Sequence, residues 1–428
     1  PTVTRPAVME LVGTRRAGMQ PAGSAAGAAG AGYVYAVDLV RVLTFACVIA
    51  VHTVPTVTAP DSVPAGAAAM LLHFTREAFF ALTAFVLVYR YRDGLHVRPF
   101  WRRRFLLIGA PYVIWSMIYT GQALIIAPLP PTGAFSGALT QFGINLLTGT
   151  ACYHLYFLVV TMQFYLLFPL LLRLLRGSSG RWGGHWWLLA ISVTLQVGIN
   201  AGLHGAHPSG MAAELLNYDG SFVGSYQFYL VLGGVAALHA DRVQAWVREH
   251  PAIVLVALLL TGIAAEEWYL RSVFGGSSAV FASDVFQPVM VPWCVAVITA
   301  LFALGVAWAA RRGAGPGSRI VEIGSDRSFG VFLVHPMVLW ALTLGPSEWL
   351  STHVSALCST VIAIAGTVVG SLLVVELLRH SPLSMVLTGK HRSPHHVTER
   401  EHSSTFESSA SVPPIRVGAG RTSGGGRD

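Results

Sequence analysis

The chain has 428 residues, of which 54% are hydrophobic and only 11% are charged, whereas about a quarter of the residues in soluble domains are charged. This composition excludes a soluble enzyme of this length, because too few charges are present to cover its surface. The net charge of +8 does not indicate a nucleic-acid partner, because the basic residues cluster between long uncharged stretches. We therefore predict an all-α polytopic protein of the lipid bilayer.

Ten apolar stretches follow one another along the chain, each long enough for a membrane-crossing helix of roughly 20 residues. Most basic residues fall into the termini and the loops that lie on the same side of the membrane as the termini. The positive-inside rule places such basic segments in the cytoplasm, so it predicts that both termini are cytoplasmic. The seventh stretch is the weakest, because Glu266 and Glu267 interrupt it near its outer end. The predicted spans lie near residues 36–57, 67–89, 105–126, 153–172, 185–203, 222–240, 252–271, 289–310, 328–345 and 353–377.

These spans predict one transmembrane domain over residues 33–378. Residues 1–32 are rich in Ala, Gly and Pro, and residues 379–428 are rich in Ser, Gly, His and Arg without an apolar period. Segments of such composition bury too little apolar surface to offset the entropy of ordering. We therefore expect disordered cytoplasmic tails at both ends.

The first span carries two residues that are costly to place in a membrane. Arg41 and His52 are eleven residues apart, which puts them within about 20° of one helix face and about 16 Å apart along the axis. Asp38 precedes Arg41 by three residues and can pair with it. Either the span holds a functional site, or Arg41 snorkels to lipid headgroups and His52 bonds a neighbouring carbonyl.

The second span begins with another pair of charges, Arg76 and Glu77. Glu77 shares a helix face with His73, four residues earlier, and is a candidate to orient or charge-stabilise an imidazole such as His52. A purely structural ion pair explains the same residues.

The densest basic segment follows the second span and includes Arg102, Arg103 and Arg104. Guanidinium groups bind phosphates through charge-assisted hydrogen bonds, so these residues are candidates to bind coenzyme A at the cytoplasmic surface. Binding of anionic lipids and anchoring of the topology are alternatives.

Two later spans contain further candidates for substrate contact. His154 and Tyr156 lie at the outer end of the fourth span, where an interfacial belt of polar aromatic residues is the alternative explanation. His335 lies in the ninth span on the same face as Ser328 and just before Pro336. A core histidine whose hydrogen bonds are satisfied is the alternative for His335.

The order of these motifs resembles the acyltransferase family 3 membrane proteins. The resemblance rests on Arg41 and His52 with ten residues between them, on EAFFALTAFVL, on RRRF followed by PYVIW, on HLYFL and YLLFPLLL, and on SFGVFLVHP. It covers roughly residues 35–378. Thr83 and Ala84 stand where the family usually has Ser and Gly, which affects any role of a hydroxyl and the packing of that helix.

The resemblance implies an integral membrane enzyme that moves an acyl group, commonly acetyl or succinyl, from acyl-CoA to hydroxyls of envelope glycans, lipids or secreted small molecules. It implies that Arg41 and His52 are an essential pair and that the three consecutive arginines form the donor site. The second and third spans look closest to the branch that modifies surface polysaccharides.

We therefore predict an acyltransferase of a bacterial plasma membrane with acyl-CoA as donor substrate, a glycan or lipid acceptor and no metal. The pantetheine arm of CoA is approximately as long as the separation of Arg41 and His52, so its thioester can reach this imidazole. An imidazole is suited to proton transfer near neutral pH, so His52 is the predicted general base, and a covalent acyl-histidine or acyl-serine relay is the variant. A multi-span transporter or flippase for a glycan or lipid is the alternative, since buried charges and many spans suit it as well.

Overall fold

The computed structural model describes residues 25–127, 134–178, 183–205, 209–210, 213, 218–313, 315–345 and 353–390, with side chains from residue 35 onward. Within these ranges every regular element is helical, so the predicted all-α class is confirmed. Two short 3-10 helices, Asp219–Ser221 and Val223–Tyr226, precede α8. The α-helices are α1 Ala25–Val57, α2 Val63–Leu72, α3 Thr75–Tyr91, α4 Val97–Ile126, α5 Ala134–Thr148, α6 Tyr156–Ser178, α7 Gly184–Gly205, α8 Gln227–Leu238, α9 Ala240–Glu249, α10 Pro251–Phe274, α11 Ala279–Ala282, α12 Met290–Arg311, α13 Pro316–Thr343, α14 Ala356–His380 and α15 Ser384–Thr388.

Seven helical stretches in the described part are long and apolar enough to cross a membrane: six single helices, α1, α6, α7, α10, α12 and α14, and α2 together with α3. The other three predicted spans correspond to α4, α8 and α13. Charged residues at the beginnings of α4 and α13 lower their mean hydropathy, and α8 is short. The seventh predicted span forms one helix of 24 residues, α10, despite its two glutamates.

The outer faces of the helices carry large apolar side chains that are exposed. Trp186 on α7 is 77% exposed, Ile263 on α10 is 65% exposed and Leu377 on α14 is 73% exposed. A helix in a water-soluble protein presents polar residues on such a face. These faces are therefore the surface that meets the hydrocarbon of the bilayer.

The second predicted span is two helices rather than one. The chain turns between α2 and α3 at His73, whose Nδ1 donates to the carbonyl oxygen of Ser283 at 2.8 Å. α2 packs tightly against α10, since a Cβ on Gly66 would lie 2.3 Å from the hydroxyl oxygen of Tyr269. Sequence periodicity does not reveal the break, since both helices are apolar.

The core lies where α3 and α6 pack against α8, and it is rich in aromatic rings. Phe80, Phe168 and Tyr226 are fully buried there. The backbones of α3 and α8 touch at Gly233, where an added Cβ would lie 2.0 Å from the carbonyl oxygen of Ala81. The position of α3 is therefore set by direct contact with α8.

The predicted C-terminal tail, 379–428, begins too early. Lys390 Nζ lies 2.9 Å from Asp326 Oδ1, and Trp115 Nε1 donates to the carbonyl oxygen of Leu387 at 3.0 Å. These contacts hold α15 against α4 and α13. The polar composition of the segment hides this packing, because its partners are distant in sequence.

The helical region also begins earlier than predicted. α1 starts at Ala25, within the segment 1–32 that we expected to be a disordered tail. The remaining parts of both predicted tails, residues 1–24 and 391–428, lie outside the described residues.

Candidate active site

The middle of α1 is tied to α13 through Arg41. Its Nη1 donates to Ser325 Oγ at 3.1 Å and lies 3.7 Å from Asp38 Oδ1, so the predicted pair of Asp38 and Arg41 is present. The hydroxyl of Ser325 donates in turn to Asp38 Oδ1 at 2.7 Å. Arg41 is therefore held in a network between two helices rather than extended freely to lipid headgroups.

The C-terminal part of α1 brings His52 next to two more histidines. The ring centroids of His52 and His335 are 5.6 Å apart and nearly stacked, and those of His335 and His154 are 5.2 Å apart. The three residues come from α1, from the turn before α6 and from α13, and we call them the histidine cluster. His52 is partly exposed, whereas His154 and His335 are buried.

Several ring nitrogens of the histidine cluster point at no protein partner within the described part of the chain. His335 Nδ1 lies 2.8 Å from the carbonyl oxygen of Phe332, which only accepts, so this nitrogen carries the proton in a neutral ring and Nε2 is an acceptor. Nε2 of His335 and both ring nitrogens of His154 are buried without a hydrogen-bond partner there. Such groups are costly to bury, which is typical of a site that binds a polar ligand.

Tyrosine side chains complete this site, and the sequence analysis did not identify them. The ring of Tyr153 lies 4.4 Å from that of His52 and is 47% exposed. Tyr119 lies 5.4 Å from His154 and donates its hydroxyl to the carbonyl oxygen of Leu333 at 2.7 Å. The adjacency of Tyr153 and His154 in the sequence was the signal for the first tyrosine, whereas Tyr119 had none.

The contacts of Glu77 in the structure are with a guanidinium, and its predicted role in orienting an imidazole stays a prediction. Glu77 is buried, and its Oε1 accepts from Arg76 Nε at 3.0 Å. Arg76 also donates to the hydroxyl of Tyr156 at 3.3 Å, and its guanidinium lies 4.8 Å from the ring centre of Phe286. Buried Glu77 and partly buried Tyr156 both pair with the guanidinium of Arg76, because an unpaired buried cation costs more than a paired one.

The three consecutive arginines of α4 do not point in the same direction. Arg102 and Arg103 are exposed, whereas Arg104 is partly buried. Its guanidinium lies 5.6 Å from the ring centre of Tyr165, which also interacts electrostatically with Arg41. Arg104 therefore contacts Tyr165, and Arg41 interacts with the same residue only through its charge, while Arg102 and Arg103 remain accessible.

The described candidate residues form two groups along α1, one at its middle and one near its C-terminal end. The cationic group contains Arg41 and Arg104, and the histidine cluster lies about 16 Å away by the rise of the helix. Among the described residues no group of three or more His, Cys, Asp or Glu side chains is arranged to hold a metal ion. The geometry suits a substrate that carries an anionic part at one end and a reacting group at the other.

Comparison with known proteins agrees with the resemblance seen in the motifs. The family model of acyltransferase family 3, described as an acyltransferase domain, matches residues 34–376. No curated protein and no solved structure shows significant similarity to the chain. Because the match covers most of the sequence, the chain belongs to acyltransferase family 3 and is a multi-pass membrane acyltransferase.

Proposed function

We propose that this acyltransferase moves an acetyl or succinyl group from cytoplasmic acyl-CoA to a hydroxyl of a cell-envelope glycan or related acceptor in a bacterial plasma membrane. His52 is the general base. The observation that carries this proposal is the position of His52, which is partly exposed beside Tyr153 and next to His335. A neutral imidazole in such a place can take the proton of an acceptor hydroxyl.

In the reaction, His52 takes up one proton and later gives the same proton back. The unprotonated ring nitrogen takes the proton of the acceptor hydroxyl while the oxygen attacks the thioester carbonyl. The tetrahedral intermediate then expels the CoA thiolate, which receives that proton from the imidazolium. General bases of this kind contribute about 10²- to 10⁴-fold to the rate.

The remaining histidines bind the acceptor in this proposal. Nε2 of His335 is an acceptor for a substrate hydroxyl, and His154 offers one donor and one acceptor when neutral. The hydroxyl of Tyr153 is a donor for the oxygen on which negative charge develops. Glu77 and Tyr156 act indirectly, by holding Arg76 in the wall of the site.

The donor binds from the predicted cytoplasmic side. Arg102 and Arg103 are exposed and can bind the phosphates of CoA, whereas Arg104 and Arg41 interact with Tyr165 deeper in the protein. Arg41 and His52 are about 16 Å apart along α1, which is approximately the length of a pantetheine arm that carries its thioester past Arg41 to His52. This length supports CoA as the donor.

The test compares alkali-labile acyl esters in envelope and secreted fractions of a deletion strain that expresses the wild-type protein or a variant. We expect His52→Ala to abolish the ester while the protein accumulates in membranes. His250→Ala is the matched control, because His250 lies at the junction of α9 and α10, away from the histidine cluster. It should restore the ester fully.

Full ester formation by His52→Ala would refute His52 as the base. If the wild-type protein restores no ester but moves an unmodified glycan or lipid without acyl-CoA, the transporter hypothesis replaces the enzyme. The mass of the ester product in the wild type identifies both the acyl group and the acceptor.

A further inference from the structure

An apolar groove of about 500 Å³ lies on the face of α3 turned away from the histidine cluster. Its walls come from α1, α3, α7, α8, α9 and α12. Most of the residues that line it are aliphatic or aromatic, and only a few of them have polar side chains. The residues used below are Ala81, Phe85, Leu232 and Ile298 in the apolar part, and His239 and Arg242 in the polar part.

The polar part of the groove lies at the ends of helices. His239 directly follows the last residue of α8, and Arg242 lies in the first turn of α9 and interacts electrostatically with His239. α9 is amphipathic, since Val247 is buried whereas Arg242 and Arg248 are exposed, as in helices that lie in the interface of a membrane. The groove thus runs from a cationic rim into an apolar interior.

We propose that this groove binds one hydrocarbon chain of an anionic phospholipid, whose headgroup phosphate contacts Arg242. The apolar interior matches a hydrocarbon chain, and the exposed guanidinium of Arg242 at the rim matches a headgroup phosphate. Charge complementarity selects an anionic lipid over a zwitterionic one. One cation near the surface corresponds to a preference of about fivefold.

The groove is separate from the proposed active site, so this inference does not rest on the proposed function. Ala81 and Phe85 of α3 line the groove. Phe79 and Phe80 of the same helix pack instead on Phe157, at centroid distances of 5.8 and 4.7 Å. The bound lipid therefore supports α3 from the side opposite to the catalytic histidine.

The test uses the full-length protein in nanodiscs that contain a phospholipid with a photoreactive diazirine in its acyl chain. Phosphatidylglycerol and phosphatidylcholine probes are compared, and labelled peptides are mapped by mass spectrometry. We expect labelling of α8 and α12 peptides near Leu232 and Ile298, about fivefold stronger with the anionic probe.

Two pairs of variants separate the groove from the general lipid surface. Ile298→Trp fills the groove and should reduce labelling severalfold, whereas Leu304→Trp, on an exposed position of the same helix outside the groove, should not. Arg242→Gln should remove the preference for the anionic probe. Arg248→Gln, which changes the same charge on the same helix but outside the groove, should keep it.

Equal labelling by both probes in the wild-type protein would overturn the proposal, because it indicates annular lipid only. Equal labelling by an uncharged diazirine alkane would overturn it as well, since the headgroup then plays no part. If Ile298→Trp fails to accumulate, the two arginine variants decide the question, because they leave the walls of the groove intact. Loss of preference in both of them would also refute a specific contact at Arg242.

Discussion

Gly233→Ala tests the contact between α3 and α8 directly. The new methyl carbon would lie 2.0 Å from the carbonyl oxygen of Ala81 and 2.8 Å from its carbonyl carbon. Close contacts between a carbon and a carbonyl oxygen are about 3.3 Å long, so the two helices have to separate by about 1 Å. Backbone atoms form the contact, and no side chain can turn away to relieve it.

We expect this substitution to lower the free energy of unfolding by about 1–3 kcal/mol, the usual cost of inserting a group into a packed core. The movement of α3 should also lower acyl transfer. Phe80 stacks on Phe157 at 4.7 Å, Phe157 contacts Phe332 at 5.6 Å, and Phe332 contacts His154 at 4.9 Å. A shift of α3 is therefore transmitted to the histidine cluster.

The assay is unfolding of the purified protein in detergent, followed by tryptophan fluorescence, together with ester formation in cells. Gly198→Ala is the control, because Gly198 is exposed on α7 and an added Cβ there meets no atom within 4 Å. It should leave stability unchanged or raise it by up to about 1 kcal/mol through helix propensity. Equal stability of the two variants, within about 0.5 kcal/mol, would refute the backbone contact between α3 and α8.

Two further predictions concern the predicted cytoplasmic side. Replacing both Arg102 and Arg103 with Gln should raise KM for acyl-CoA about tenfold or more with little change in kcat, because exposed arginines contribute to binding and not to the chemical step. Arg248→Gln is the control. An unchanged KM in the double variant would exclude Arg102 and Arg103 from the donor site. Asp326→Asn should lower the unfolding free energy by about 1–2 kcal/mol, since it leaves Lys390 and Arg379 without their carboxylate. The unfolding assay checks this against Glu249→Gln, and equal stability of these two variants would show that the ion pairs at Asp326 do not hold α15.

Much of the architecture could be predicted from the sequence, because the property that makes a helix cross a membrane is local. The lengths of the apolar stretches in the sequence were sufficient to predict spans that match helices of the structure, from α1 to α14. The order of several short motifs was sufficient to indicate the family, which the match over residues 34–376 confirms. The pairing of Asp38 with Arg41 was predictable for the same reason, since both lie on one turn of a single helix.

Contacts between distant segments required the tertiary structure. The partner of Glu77 turned out to be its neighbour Arg76 rather than an imidazole, and Arg104 turned inward while Arg102 and Arg103 did not. A side chain on a helix can face several neighbours, and the packing of those neighbours decides which one it meets. The same holds for α15, whose anchor, Asp326, lies in another helix.

The sequence alone determined that this protein is an all-α membrane acyltransferase of family 3, with Arg41 and His52 on one face of its first span. Only the tertiary structure brought His154 and His335 to His52 and placed Tyr153 beside them. These residues are separated by long stretches of chain, and the helices that carry them meet because their apolar and aromatic faces fit together. Hydrophobic patterns specify that such faces are buried, but the shapes of the packed side chains specify which faces meet.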